Sequence, residues 1–268
     1  MIRTTLRRLS APPTRLVDPT PSPSTRHLVI FAAAAVGVGG SLLTLSTLIQ
    51  PDAPLLIAAV LFGLALPALL LTYREAGAPG VEALLRDCVR PPSSWWWLPL
   101  AGFGLPVATW ITGAALGGAQ PLSWGLIGFY AVDLAAGALI INIWEEMAWT
   151  GFFQRRVASR WGLIGGGLVT AVFFTAIHIP LALRAADTAA ETATSLLYLA
   201  AAAIGIRLLI ARIDPWSGRS VLVVGVLHSG FNATETVLEP AFFWVRIVVT
   251  IGLGIGVVAF ARQPHPPI

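Results

Sequence analysis

The chain has 268 residues, 56% of them hydrophobic and 11% charged, with a formal net charge of +4 and a mean hydropathy of +0.78. Such a composition excludes an ordinary soluble domain and predicts a polytopic membrane protein. All 17 basic residues are arginines, and positive charge beside membrane spans has an ordinary use, so the pI near 10.2 predicts no nucleic-acid partner.

Residues 1–26 are rich in Arg, Pro, Ser and Thr and lack apolar periodicity. They cannot bury enough surface to fold alone and are expected to form a disordered basic cytoplasmic arm. The apolar run after them is too long for the core of a signal peptide and has no convincing cleavage site behind it, so it is expected to stay as the first span. A transmembrane domain over 27–262 and a short tail over 263–268 complete the expected organisation. Stretches long enough to cross about 30 Å of hydrocarbon fall near 28–49, 54–72, 95–115, 122–152, 162–183, 192–211, 219–237 and 241–261. The predicted fold class is therefore all-α, a polytopic membrane helix bundle of about eight transmembrane helices. The second stretch is short and contains Pro67. Trp95, Trp96 and Trp97 open the third, where an interfacial aromatic belt belongs. The single Cys88 excludes an intrachain disulfide and has no ligand spacing around it.

Arginines accumulate on the cytoplasmic side of membrane proteins. Alternate connections hold Arg3, Arg7, Arg8, Arg15 and Arg26, then Arg74, Arg86 and Arg90, then Arg155, Arg156 and Arg160, then Arg212 and Arg219, and finally Arg262. The opposite set holds Asp52, Arg184, Asp187, Glu191, Glu235 and Glu239. This division predicts both termini in the cytoplasm of a multi-pass protein of the inner (plasma) membrane. Of the two arginines within spans, Arg207 is expected to snorkel to the nearby cytoplasmic end and Arg246 to sit near the outer end of the last helix. No internal repeat points to a transporter built from two halves.

An ionisable group near the bilayer centre costs about 2.5–3.5 kcal/mol on insertion scales, so those inside the spans need a reason. The fourth span carries Glu145 and Glu146, the fifth Phe174 and His178, the seventh His228 and Asn232. Adjacent residues lie about 100° apart on a helix, so one glutamate can face a cavity while the other faces a neighbouring helix. Phe174 and His178, like His228 and Asn232, are spaced i, i+4 and share a face. Histidine exchanges protons near neutral pH and an asparagine amide can donate to an oxyanion. With a carboxylate base, these are the parts needed to hydrolyse an amide. Asp133 is assigned to structural bonding or cavity lining, and Trp144, Trp149, Phe152 and Phe153 to packing or the interface.

The order of a double glutamate, a Phe-x-x-x-His and a His-x-x-x-Asn on successive spans resembles the CPBP family of intramembrane proteases, which includes the type II CAAX prenyl endopeptidases and the Abi-like bacterial proteins. The likeness covers about residues 120–240 and departs from the family at Thr150, where the pattern EExxxR would place an arginine. Arg155 and Arg156 do not substitute simply, so Glu146 is expected either to be protonated or to pair with an arginine from another helix.

The resemblance implies an intramembrane endopeptidase acting on a membrane-associated protein or peptide, with membrane lipid around it. Glu145 and His178 would activate one water, His228 and Asn232 would stabilise the oxyanion, and Glu146 and Phe174 would support them. No cofactor is favoured; the rival chemistry is zinc held by Glu145, His178 and His228 with an open position. Two other classes compete: a non-catalytic member in self-immunity or scaffolding, for which Thr150 is the best argument, and a proton-coupled transporter, since intramembrane Glu and His also form proton relays. The GC-rich composition looks bacterial, and bacteria generally lack prenylation, so a membrane peptide or lipoprotein-like target is the more plausible substrate.

Overall fold

The computed structural model describes residues 24–49, 53–184 and 186–260. Most of the expected arm, Asp52, Arg262 and the tail 263–268 lie outside the described residues, whereas Thr25 and Arg26 already belong to the first helix. Among the described residues there is no strand, and one isolated bridge joins Ala119 to Leu238. The protein is an all-α polytopic bundle.

Its helices are α1 (Thr25–Leu48), α2 (Ala53–Asp87), α3 (Trp97–Ala115), α4 (124–160), α5 (163–184), α6 (Ala189–Trp216), α7 (Val221–Ala233) and α8 (Trp244–Phe260). Among the described residues six helical runs are long and apolar enough to cross a membrane, where eight spans were expected. Trp124–Arg184 counts as one of these runs although Trp161 and Gly162 leave helical geometry and separate α4 from α5. The 13 residues of α7 rise only about 20 Å, short of the hydrocarbon thickness.

Local chemistry sets several boundaries. The hydroxyl of Ser123 accepts from the Leu126 N–H and caps α4, and the Ser220 hydroxyl caps α7 in the same way. Thr188 and Glu191 form a reciprocal capping box at the start of α6. In α2 the stretch Ala59–Ala65 widens to π geometry just before Pro67, where proline has no N–H to return to the preceding turn. Further on, Gly77 adopts φ 65°, and the helix restarts with Pro79 in its first turn.

Phe31 of α1 is fully buried against Trp149, Phe152 and Phe153 of α4, with ring centroids 5.4, 5.1 and 5.3 Å away. The four rings close one half of the bundle. α6 packs between α5 and α8, and α7 packs against α3 and α4. Close approach there needs glycine: a Cβ on Gly225 of α7 would stand 3.0 Å from the Cα of Ile143 on α4.

The described arginines of the cytoplasmic set gather at one end of the bundle. Arg155 holds Asp214 of α6 with two bonds, Nη2 at 2.7 Å and Nε at 3.0 Å, and also pairs with Asp87 of α2. Arg156 pairs with Glu75 of α2 at 2.8 Å, and the same carboxylate binds His27 of α1 at 2.7 Å. Asp87 and Asp214 are both buried, so these ties lie partly inside the protein, where screening is weak. At the opposite end Arg246 pairs with Glu235 at 2.6 Å. Cys88 is buried at the end of α2, and burial, its largest influence, pushes its thiol up to about 11.

Overpacking a tight helix contact costs about 1–3 kcal/mol. Gly225→Val is expected to lower the unfolding midpoint in detergent by a corresponding amount, read by thermal unfolding, while a valine at the open position Gly256 leaves it unchanged.

Candidate active site

The glutamates sit on a short α-helical stretch, Ile143–Glu146, flanked by π-helical stretches Ala138–Asn142 and Met147–Gln154. Such wide turns are frequent at functional sites. Both carboxylates are buried, Glu145 at 6% exposure and Glu146 at 0%, but they turn to different partners.

Glu146 faces α6. Its Oε1 accepts from Arg207 Nη2 at 2.7 Å and from His228 Nδ1 at 2.8 Å, and its Oε2 accepts from Arg207 Nη1 at 2.9 Å and from the Thr150 hydroxyl. A carboxylate offers about four lone-pair sites, and here each has a donor. Arg207 therefore does not snorkel outward as expected: it is fully buried. Bidentate attraction to a carboxylate inside the bundle outweighs what the side chain would gain by reaching the interface. The expected alternatives for Glu146 resolve in favour of an arginine from another helix. A Cβ on Gly167 of α5 would lie 3.0 Å from the Arg207 carbonyl oxygen, so glycine lets α5 approach α6 at this level.

Phe174 holds these groups together. The Arg207 guanidinium lies 4.3 Å from its ring centroid, and the His178 and His228 rings lie 4.3 and 5.5 Å away. The His178 Nδ1 is 2.7 Å from the Phe174 carbonyl oxygen. A carbonyl only accepts, so Nδ1 carries the proton and a neutral ring leaves Nε2 free to accept.

Glu145 faces the other way. With Asn142, Phe174, His178, His228 and Asn232 it lines a cavity of about 580 Å³, whereas Glu146 does not. Its Oε2 accepts from Asn142 Nδ2 at 3.3 Å and stands 3.7 Å from His228 Nδ1. Asn232, one turn beyond His228, is exposed while His228 is 3% exposed. The cavity continues past Phe231 to Glu235 and Arg246. Five of the six sequence-derived residues thus meet at one cavity, and the sixth backs them. Asp133 is exposed and does not line it.

Two participants were not foreseen. Asn142 was visible as a polar residue three positions before Glu145, a spacing that brings it onto the same face. Arg207 was visible as an intramembrane charge, but nothing in its spacing names a partner 61 residues away.

The zinc alternative needs Glu145, His178 and His228 to converge. Among the described residues no three His, Cys, Asp or Glu side chains are grouped to hold a metal. His228 already spends Nδ1 on Glu146, and His178 spends its Nδ1 on Phe174. Each of these bonds leaves Nε2 available, the orientation that a zinc-ligating histidine also takes when its other nitrogen donates to a carboxylate or carbonyl.

Breaking a buried ion pair by removing one partner costs about 3–5 kcal/mol. Arg207→Ala is expected to destabilise the protein by that order, and Arg207→Ala with Glu146→Ala to recover part of it, measured as a double-mutant cycle of unfolding in detergent. Thr150→Arg should also destabilise, because the carboxylate already has its guanidinium and the added one would be buried without a counterion.

Residues 127–234 match the family described as Type II CAAX prenyl endopeptidase Rce1-like. No curated protein matches the chain. The matched segment runs from α4 to the turn after α7 and contains Arg207 as well as both glutamates and both histidines. Over that segment, less than half of the chain, it is similar to the type II CAAX prenyl endopeptidases, a likeness that supports membership of the CPBP family of intramembrane proteases.

Proposed function

We propose that the protein is an intramembrane endopeptidase of the inner (plasma) membrane, both termini cytoplasmic, that hydrolyses a membrane-associated protein or peptide with a water activated by Glu145. The observation that carries this reading is the division between the paired carboxylates. Glu146 is saturated by four donors, and Glu145 lines the cavity beside two histidines.

A water between Glu145 and His178 would donate one hydrogen bond to each, since Nε2 of His178 is the acceptor left by its bond to Phe174. As the water oxygen attacks the scissile carbonyl carbon, its proton passes to Glu145. The negative charge moves to the carbonyl oxygen, where the Asn232 amide and His228 donate. His228 binds acceptor-only Glu146 through Nδ1, so Nε2 donates to the oxyanion in the imidazolium form of the ring. The C–N bond then breaks, and Glu145 returns the proton to the leaving amine. One peptide and one water become a carboxylic acid and an amine, with the glutamate restored. No step calls for a metal.

Arg207 supplies Glu146 with the guanidinium that position 150 lacks, which supports a working enzyme over a decayed one in immunity or scaffolding. The matching family is that of the type II CAAX prenyl endopeptidases. For this chain a membrane peptide or lipoprotein-like target is the proposed substrate, because its composition looks bacterial.

The test is cleavage of a fluorogenic peptide library by purified, detergent-solubilised protein. Loss of a general base is expected to lower the rate about 10²–10⁴-fold, so Glu145→Ala and Glu145→Gln should both fall by that order while a chelator leaves the wild type unchanged. Full cleavage by Glu145→Ala would sink the glutamate mechanism, and loss on chelation would favour zinc. No cleavage from folded protein would favour the immunity or scaffolding role.

A further inference from the structure

We propose that the exposed face of α4 around Asp133 docks a membrane-spanning helix of another protein, one that carries an arginine or lysine at the depth of the candidate site. The inference goes beyond the protease reading and does not depend on it.

α4 carries three carboxylates. Glu145 and Glu146 are buried and have donors in Asn142, Thr150, Arg207 and His228. Asp133 is exposed, and no described residue bonds its carboxylate. Tyr130 stands one turn away, but its hydroxyl donates to the Gly102 carbonyl of α3.

This carboxylate stands well inside the bundle's apolar belt. The neighbouring Leu134 carbonyl accepts from the Ser229 hydroxyl of α7 at 2.8 Å, which sets Asp133 at the level of the residue that follows His228. Trp124 opens the helix nine residues earlier, about 14 Å along the axis. Snorkelling over such a distance takes the long stems of lysine and arginine, and the short side chain of aspartate cannot do it.

The residues around Asp133 are apolar. Phe129 and Val132 are 65% and 69% exposed, Ala136 is exposed beside them, and with Asp133 they recur at the spacing of one helix face. Lipid chains cover apolar side chains without any partner, so these residues alone call for nothing. A carboxylate is different, because ionisable groups in spans face a bundle interior or a water-filled cavity, or pair with one another. Ala136, one turn on, is small enough to let a second helix approach. Charge then selects the occupant. A second copy meeting this face with its own would set Asp133 against Asp133, and the two arginines within its spans are already spent on Glu146 and Glu235. The fitting partner is a cationic side chain on the helix of a different membrane protein.

The test uses the full chain in phosphatidylcholine vesicles. Its probe is a synthetic helix of roughly 20 leucines and alanines, with one arginine at the midpoint and a dansyl group at one end. Association is read as energy transfer from the protein's tryptophans to the dansyl group. The arginine peptide is expected to associate about ten-fold more tightly than the same peptide with leucine at the midpoint, as one interhelical polar contact provides. Asp133→Asn is expected to remove the difference and to leave the unfolding midpoint unchanged. If Asp133→Asn fails to assemble, Ala136→Trp keeps the charge but obstructs the face, and is expected to bring the arginine peptide down to the leucine level. Equal association of the two peptides with the wild type, or an arginine preference that survives either substitution, overturns the proposal. So does energy transfer between labelled copies of the protein that Asp133→Asn abolishes, because the face would then serve self-association.

Discussion

The ion pair between Glu146 and Arg207 is the interaction on which the site depends. Each charge alone would be expensive inside a membrane bundle, and the pair is tolerable only with near-complete hydrogen bonding. That condition is met on the carboxylate side by Arg207, His228 and Thr150. On the guanidinium side the Phe174 ring covers the planar face, although Arg207 Nε finds no partner. One carboxylate therefore fixes elements from α4, α6 and α7, and through Phe174 it also fixes α5. The same contacts place His228 and His178, so stability and site geometry are set by one cluster.

Under the proposed mechanism this cluster accounts for two glutamates standing side by side. A single carboxylate facing the cavity would have to hold the histidines and also react, and full hydrogen bonding would leave it a poor proton acceptor. Dividing the work leaves Glu145 with one long bond from Asn142 and a more distant histidine. The helix itself assists. Asn142 stands three residues before Glu145 and Thr150 four residues after Glu146, so each reaches a different glutamate.

Much of this was legible in the sequence because membranes make polar residues conspicuous. Apolar runs located the helices, and Glu145, Glu146, His178, His228 and Asn232 stood out from surroundings that otherwise tolerate none of them. The helix ends were less legible. α4 runs to 160 and α6 to Trp216, beyond the expected 152 and 211, because Arg155 and Asp214 satisfy one another across the two helices. A hydropathy window sees two charged ends there and stops. The break at Gly77 and the wide turns of α2 and α4 leave no clear periodic signature. Arg207 was misread for a related reason: snorkelling is judged from the distance to a helix end, whereas its true position is decided by a carboxylate on another helix.

The departure at Thr150 changes the kind of bond that holds Glu146 without removing the bond. An arginine at position 150 would sit one turn from Glu146 on the same helix, and that contact would form with α4 alone. Arg207 instead lies on α6, so the carboxylate gains its counterion only when α4 and α6 have docked. Until then each helix carries a charge that costs a few kcal/mol in hydrocarbon, and docking relieves both penalties at once. The driving force for that docking is therefore concentrated at the level of the site. Thr150 stays useful as a small donor that fills the last lone pair of Glu146, a place that a longer side chain would have to take from Arg207.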